Sequence, residues 1–194
     1  MKEVLFKQID SQKEDLCQMA DFIFDHPEYD GKEYQASKLL ADRLTKEGFS
    51  VEMGVGGYET AFRAVYQNLT GGPSIGILCE YDALAGLGHG CGHHMQGPGC
   101  LGAAIALKET CKDRPYRLVV YGTPAEETQG AKASMIKNGC FHDIDVAFMM
   151  HGSPTTCTDV KCLADQSFKV VFHGKGAHAA LAPDQGRSAF DALL

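Results

Sequence analysis

Apolar residues recur at helical spacing in "KEDLCQMADFIFDHPE", where Leu16, Met19 and Ile23 share one side and Pro27 ends the run. "EYQASKLLADRLTKEGF" repeats the pattern through Leu39, Leu40 and Leu44, with Gly48 placed as a helix C-cap. "FSVEMGV" and "TAFRAVYQN" alternate as strands do, and "GGP" at 71–73 marks a turn. "SIGILCEY" is a continuous apolar run, which suits a parallel strand covered on both faces. Beyond it, "GCLGAAIALKETCK" predicts a tightly packed helix and "YRLVVYGTPAEE" a strand. "GAKASMIKNGCF" predicts another helix, and "DVAFMMHG" a strand with a histidine at its end. This alternation predicts an α/β fold, a mostly parallel sheet flanked by helices.

In such a sheet the C-terminal ends of the strands form the ligand crevice. Glu80 with Asp82, the cluster beginning at His89, Glu126 with Glu127, and His151 all fall at such ends, so distant segments should meet on one rim. After about residue 164 the pattern changes: "SFKVVFHGKGAHAALAPDQGRSAFDALL" reads as a strand, a glycine turn and the start of a helix. The expected organisation is therefore a domain over 1–163 and the beginning of a second over 164–194.

Composition adds exclusions. The chain has 194 residues, 44% hydrophobic and 22% charged, enough apolar material for a core. A net charge of −7 and the lack of any Lys/Arg run argue against nucleic acid as a partner. No apolar stretch approaches the ~20 residues of a membrane helix, so no membrane partner is expected. The charged N-terminus "MKEVLFKQIDSQKEDL" is unlike a signal peptide. Eight cysteines without a CxxC pair then imply a reducing, cytoplasmic setting, most of them packing as small buried hydrophobes.

Cys91 is the cysteine with company. "GLGHGCGHH", Gly86 to His94, sets three histidines and a thiol among glycines that let the backbone bend sharply. Cys91, His93, Glu127 and His151 form a donor set suited to zinc, manganese or a similar divalent ion. Each histidine by itself is more readily a cap of a turn or of the following helix than a ligand. In the pair Glu126–Glu127, one carboxylate could bind metal while the other accepts a proton from water; both could also be solvated acids at a helix start. Asp82 either orients a ligand histidine or caps the next turn. No GxxxxGK loop or HExxH helix occurs. A Cys91–His nucleophile pair would leave Glu127 and His151 without a role.

The ordered motifs "CEYDAL", "GHGCGHH", "GTPAEE", "MMHG" and "GKGAHAA" resemble the binuclear metallopeptidases and amidohydrolases that include carboxypeptidase G and aminoacylase. The likeness is to the branch of aminobenzoyl-glutamate hydrolase and the indole-acetyl-amino acid amidohydrolases, and it covers about the first half of such a protein. It implies hydrolysis of the amide of an N-acyl amino acid or small dipeptide, with two divalent ions: zinc or manganese, cobalt and nickel being further candidates. It implies metal ligands Cys91, His93, Glu127 and His151, with the thiolate of Cys91 shared between the ions. Glu126 would be the general base and Asp82 the aspartate behind the ligands. The segment 164–194 would begin an α+β lid through which the full-length protein forms a homodimer. There His178 would reach a partner's active site and steady the oxyanion. His94 stands where relatives carry Asp or Asn, and Ala85 where Pro is common. The family's last metal-binding histidine has no counterpart within these residues, so residues 1–194 alone are expected to be weakly active or inactive. The rival expectation is a metal-binding or regulatory module without catalysis.

Overall fold

The computed structural model describes residues 1–158, 160, 161, 163, 164 and 168–194. They form two compact units, Met1–Pro154 and Thr155–Leu194. The expected boundary at 163/164 lies inside the second unit, and Cys162 lies outside the described residues.

In the first unit five strands form one sheet in the order β1-β2-β4-β3-β5: β1 (Ser50–Met53), β2 (Phe62–Asn68), β3 (Ser74–Cys79), β4 (Tyr116–Gly122) and β5 (Val146–Met149). β3 pairs in parallel with β4 and β5, and β2 runs antiparallel to both β1 and β4. Four strands thus point one way and β2 the other, because short connections join β2 to its neighbours in sequence. Ile77 of β3 sits opposite Val120 on one side and Phe148 on the other. Central β4 is apolar on both faces, and Leu118, Val119, Val120 and Tyr121 have no exposed surface. β5 is an open edge whose residues are all exposed.

The helices α2 (Lys13–Asp25), α3 (Tyr34–Lys46) and α4 (His93–Thr110) supply one layer of the core, where Ile23, Leu40, Leu44, Leu101 and Ala104 meet Phe62, Tyr81, Leu118 and Val120. Smaller α5 (Ala131–Lys137) covers the opposite face, with Met135 against Val119 and Tyr121. The chain also opens with α1 (Lys2–Asp10), which was not predicted; none of its residues is fully buried, and Leu5 and Ile9 on one side are half-buried.

Beyond β3, "CEYDAL" keeps the strand alternation. Cys79 and Tyr81 enter the core while Glu80 and Asp82 turn to the other side, both also buried. Tyr81 stacks on Phe62, ring centroids 6.1 Å apart, and its hydroxyl donates to Thr60 O at 2.7 Å. The stack crosses β4 at Gly122, where a Cβ would lie 2.3 Å from the Phe62 ring and 2.8 Å from the Tyr81 hydroxyl.

Glu33 is a third buried acid. It accepts from Gly31 N at 2.9 Å and from Thr60 Oγ1 at 3.0 Å, and burial raises its carboxyl above the ordinary 4.5. The protonated form is favoured by folding, so its stabilising contribution is complete below about 4.5 and is lost as pH rises through the raised native value. Glu33→Gln removes that loss. Its urea midpoint, measured against wild type, should therefore be relatively higher at pH 8 than at pH 4; an equal difference at both would refute the shift.

In the second unit, Lys175 and Arg187 form an isolated antiparallel bridge, followed by α6 (Ala189–Leu193), whose N-cap Ser188 accepts from Asp191 N at 3.0 Å. The strand expected around Phe168–Phe172 does not form. Those residues have no ladder partner among the described residues, and Phe168 and Val171 are exposed. Alternation alone cannot make a strand without a neighbouring backbone to bond.

Candidate metal centre

Three chain segments meet at the C-terminal ends of β3, β4 and β5, together with the first turn of α4. Gly92 is the N-cap of α4 with φ +81°, a left-handed conformation that turns the chain abruptly into the helix and sets His93 at its first position. His93 is 1% exposed. Its Nδ1 faces Asp82 Oδ1 at 2.9 Å and Asp82 O at 3.1 Å, so Nδ1 carries the proton and Nε2 presents a lone pair. The other oxygen of Asp82 accepts from Glu127 N at 3.0 Å. Asp82 therefore holds the His93 ring and the loop after β4 at once.

Around His93 Nε2 lie His151 Nε2 at 3.3 Å, Glu80 Oε2 at 3.3 Å and Glu127 Oε1 at 3.9 Å. Two overlapping groups have donor atoms close enough to share an ion: Glu80 with His93 and His151, and His93 with Glu126 and Glu127. His151 follows β5 at the open edge, and its Nδ1 contacts Gly152 O at 2.8 Å, leaving Nε2 directed at the cluster. Cys91 belongs to neither group; its thiol is hydrogen-bonded to Glu127. The structure thus brings His93, His151, Glu126 and Glu127 together, with Cys91 beside Glu127.

Glu80 is the residue that sequence reasoning placed on the rim but left out of the donor set. An acid directly after a buried apolar strand, two positions before Asp82, was the available signal. Of the other histidines in the glycine-rich stretch, His94 lies 5.0 Å from the Phe24 ring and 5.3 Å from His89. Both are lowered from 6.5, by burial first, so they pack as neutral rings beside α2. His178 lies in the second unit, where its Nδ1 accepts from Ala180 N and Leu181 N, 3.2 Å each.

The electrostatics are those of crowded acids. Burial works to lower His93, but Asp82, Glu80 and Glu127 together raise it. Asp82 is lowered overall, because the His93 hydrogen bond and the Glu127 N–H outweigh its burial. Burial raises Glu126, and the charges of Glu80, Glu127 and Asp82 add to this against the opposing Lys132. The Cys91 thiol is pushed up to about 11, by its hydrogen bond to Glu127 first and burial second. Neighbouring Ala125 is fully buried with φ +51°, and its carbonyl accepts from Gln129 N and Gly130 N at 3.0 and 2.9 Å. A left-handed alanine costs roughly 1–2 kcal/mol, and here it fixes the turn that presents Glu126 and Glu127.

Among the described residues seven cysteines are free thiols, of which Cys79 and Cys100 are buried. The expectation that most would be buried is corrected: Cys91, Cys111 and Cys140 are partly covered, and Cys17 and Cys157 are exposed. No helix among the described residues is long and apolar enough to cross a membrane.

A helical layer on a mostly parallel sheet, with imidazoles and carboxylates at the strand ends, is the architecture of a metallopeptidase catalytic domain. Residues 78–188 match peptidase family M20/M25/M40, and the chain belongs to that family. It is 36% identical over 95% of its length to a p-aminobenzoyl-glutamate hydrolase polypeptide of Escherichia coli, covering 42% of that protein. Xaa-Arg dipeptidase of Mus musculus is 34% identical over 100% of this chain and 48% of its own length. A Bacillus subtilis structure described as a dinuclear metal binding peptidase from the M20 family superposes with a TM-score of 0.67 at 22% identity, covering 75% of this chain and 44% of that one. The chain spans less than half the length of the two curated relatives.

Proposed function

We propose that this chain carries the metal-binding and proton-transfer face of a cytoplasmic, metal-dependent hydrolase that cleaves the amide of N-acyl amino acids or small dipeptides. The observation that carries the reading is the meeting of His93 Nε2, His151 Nε2 and Glu127 around one point, with Asp82 fixing the His93 tautomer. The donor set fits a cation. Two imidazole nitrogens and several carboxylates crowd a partly buried place beside the Cys91 thiol, and a cation there would balance the acids and favour the thiolate.

Cys91, His93, Glu127 and His151 are assigned to hold two divalent ions of the zinc, manganese, cobalt or nickel type. Such ions acidify water and polarise a carbonyl. Glu126 accepts the proton of the attacking water and delivers it to the departing amine, a role that its raised affinity for protons suits. Asp82 orients. His178, from the second unit of a partner in a homodimer, is assigned to the oxyanion. The same elevated thiol argues against Cys91 as a nucleophile, which needs a lowered pKa.

The test is hydrolysis of acyl-amino acids by the full-length protein before and after chelation. Activity should vanish with the metal and return with zinc or manganese; turnover that survives exhaustive chelation would end this reading. Metal binding without turnover on any such substrate would instead support the regulatory module. Asp82→Asn should lower metal affinity by about 10–100-fold, since the Asp82 carboxylate sets the His93 ring. Unchanged affinity in equilibrium dialysis would remove that role.

A further inference from the structure

Glu80 lies buried within the cluster, and no step of the proposed hydrolysis uses it. Its side chain is 1% exposed. One carboxylate oxygen, Oε1, is taken by Lys132 Nζ from α5. The other, Oε2, is buried with no hydrogen-bond partner among the described residues. It lies 3.3 Å from His93 Nε2 and 4.0 Å from His151 Nε2, and those two nitrogens are 3.3 Å apart. A buried, unpartnered carboxylate oxygen is costly, so it needs a cationic neighbour of its own. Lys132 covers only one of the two oxygens.

The spacing identifies that neighbour. Nitrogen and oxygen ligands about 2.1 Å from one ion, at tetrahedral angles, lie about 3.4 Å from one another. Two of the separations, 3.3 and 3.3 Å, match that edge, and the third, 4.0 Å, is longer but within reach of the same ion. We propose that Glu80 is a metal ligand, completing a three-residue site with His93 and His151 through Oε2 alone, and that Lys132 is the positioning residue that keeps it monodentate. A merely structural Glu80–Lys132 pair would leave Oε2 free to turn to any N–H donor; here it faces two imidazole nitrogens instead. This inference rests on the reading of the cluster as a metal centre.

The experiment is titration of the metal-free protein with Co(II), followed by visible absorption and equilibrium affinity. The comparison is with Glu80→Gln, which keeps shape and a Lys132 acceptor. One binding event should weaken by about 100-fold or more, beyond the 10–100-fold loss typical of a residue that only orients a ligand, and its absorption band should shift. If Lys132 without its partner impairs folding of that variant, the Glu80→Gln/Lys132→Gln double variant, which buries no unpaired charge, carries the same expectation. Wild-type binding with affinities and spectrum unchanged in these variants overturns the assignment of Glu80 alone. No Co(II) binding by wild type overturns both this assignment and the metal centre itself.

Discussion

Replacing Glu126 by glutamine should lower turnover of the active protein by about 10²–10⁴-fold, the span that loss of a positioned proton acceptor costs. Bound metal should stay the same. Glutamine keeps the size and one acceptor oxygen but cannot take a proton from water. Glu126 is the exposed member of the acidic pair, whereas Glu127 is half-buried against His93 and Cys91. Ala125, held left-handed just before them, lets neighbouring side chains take different directions. Metal content by elemental analysis separates the two roles. A variant that loses metal with activity would make Glu126 a ligand, and one with wild-type turnover would remove it from the chemistry.

The second large effect is expected far from any proton. Phe62→Ala should destabilise the fold by about 3–5 kcal/mol, the usual cost of deleting a buried phenylalanine ring. Phe62 is fully buried, and its stacking on Tyr81 is possible because Gly122 leaves the space between them. The collapse that normally softens such a deletion is hindered here, since β2 is hydrogen-bonded on both sides and cannot move in. Because Tyr81 separates Glu80 from Asp82, loosening its ring should also weaken metal affinity. A denaturant midpoint within experimental error of wild type would show that the ring does not anchor this part of the core.

The helices α2 and α3, all five strands and the order of motifs were legible from periodicity, because burial of one face leaves a direct mark on residue spacing. The convergence of Asp82, His93, Glu127 and His151 was foreseeable because parallel strands send their C-terminal ends to one rim. Helix α1 was less legible, since its apolar positions Leu5 and Ile9 are only half-buried. Nor was the failure of 168–172 to pair, because a strand depends on a neighbour that its own sequence does not contain. In "GLGHGCGHH" the residue types announced a site, yet His89 and His94 turned out to pack beside Phe24.

The chain's own residues thus determined the elements, the α/β class and the inventory of donors, since these follow from local periodicity and side-chain chemistry. Tertiary structure decided which donors face each other. Core packing of Cys79 and Tyr81 turned Glu80 toward His93 and His151, and α5 brought Lys132 to one oxygen of Glu80. Those outcomes depend on contacts between residues dozens of positions apart, and spacing along a sequence carries no record of such distances.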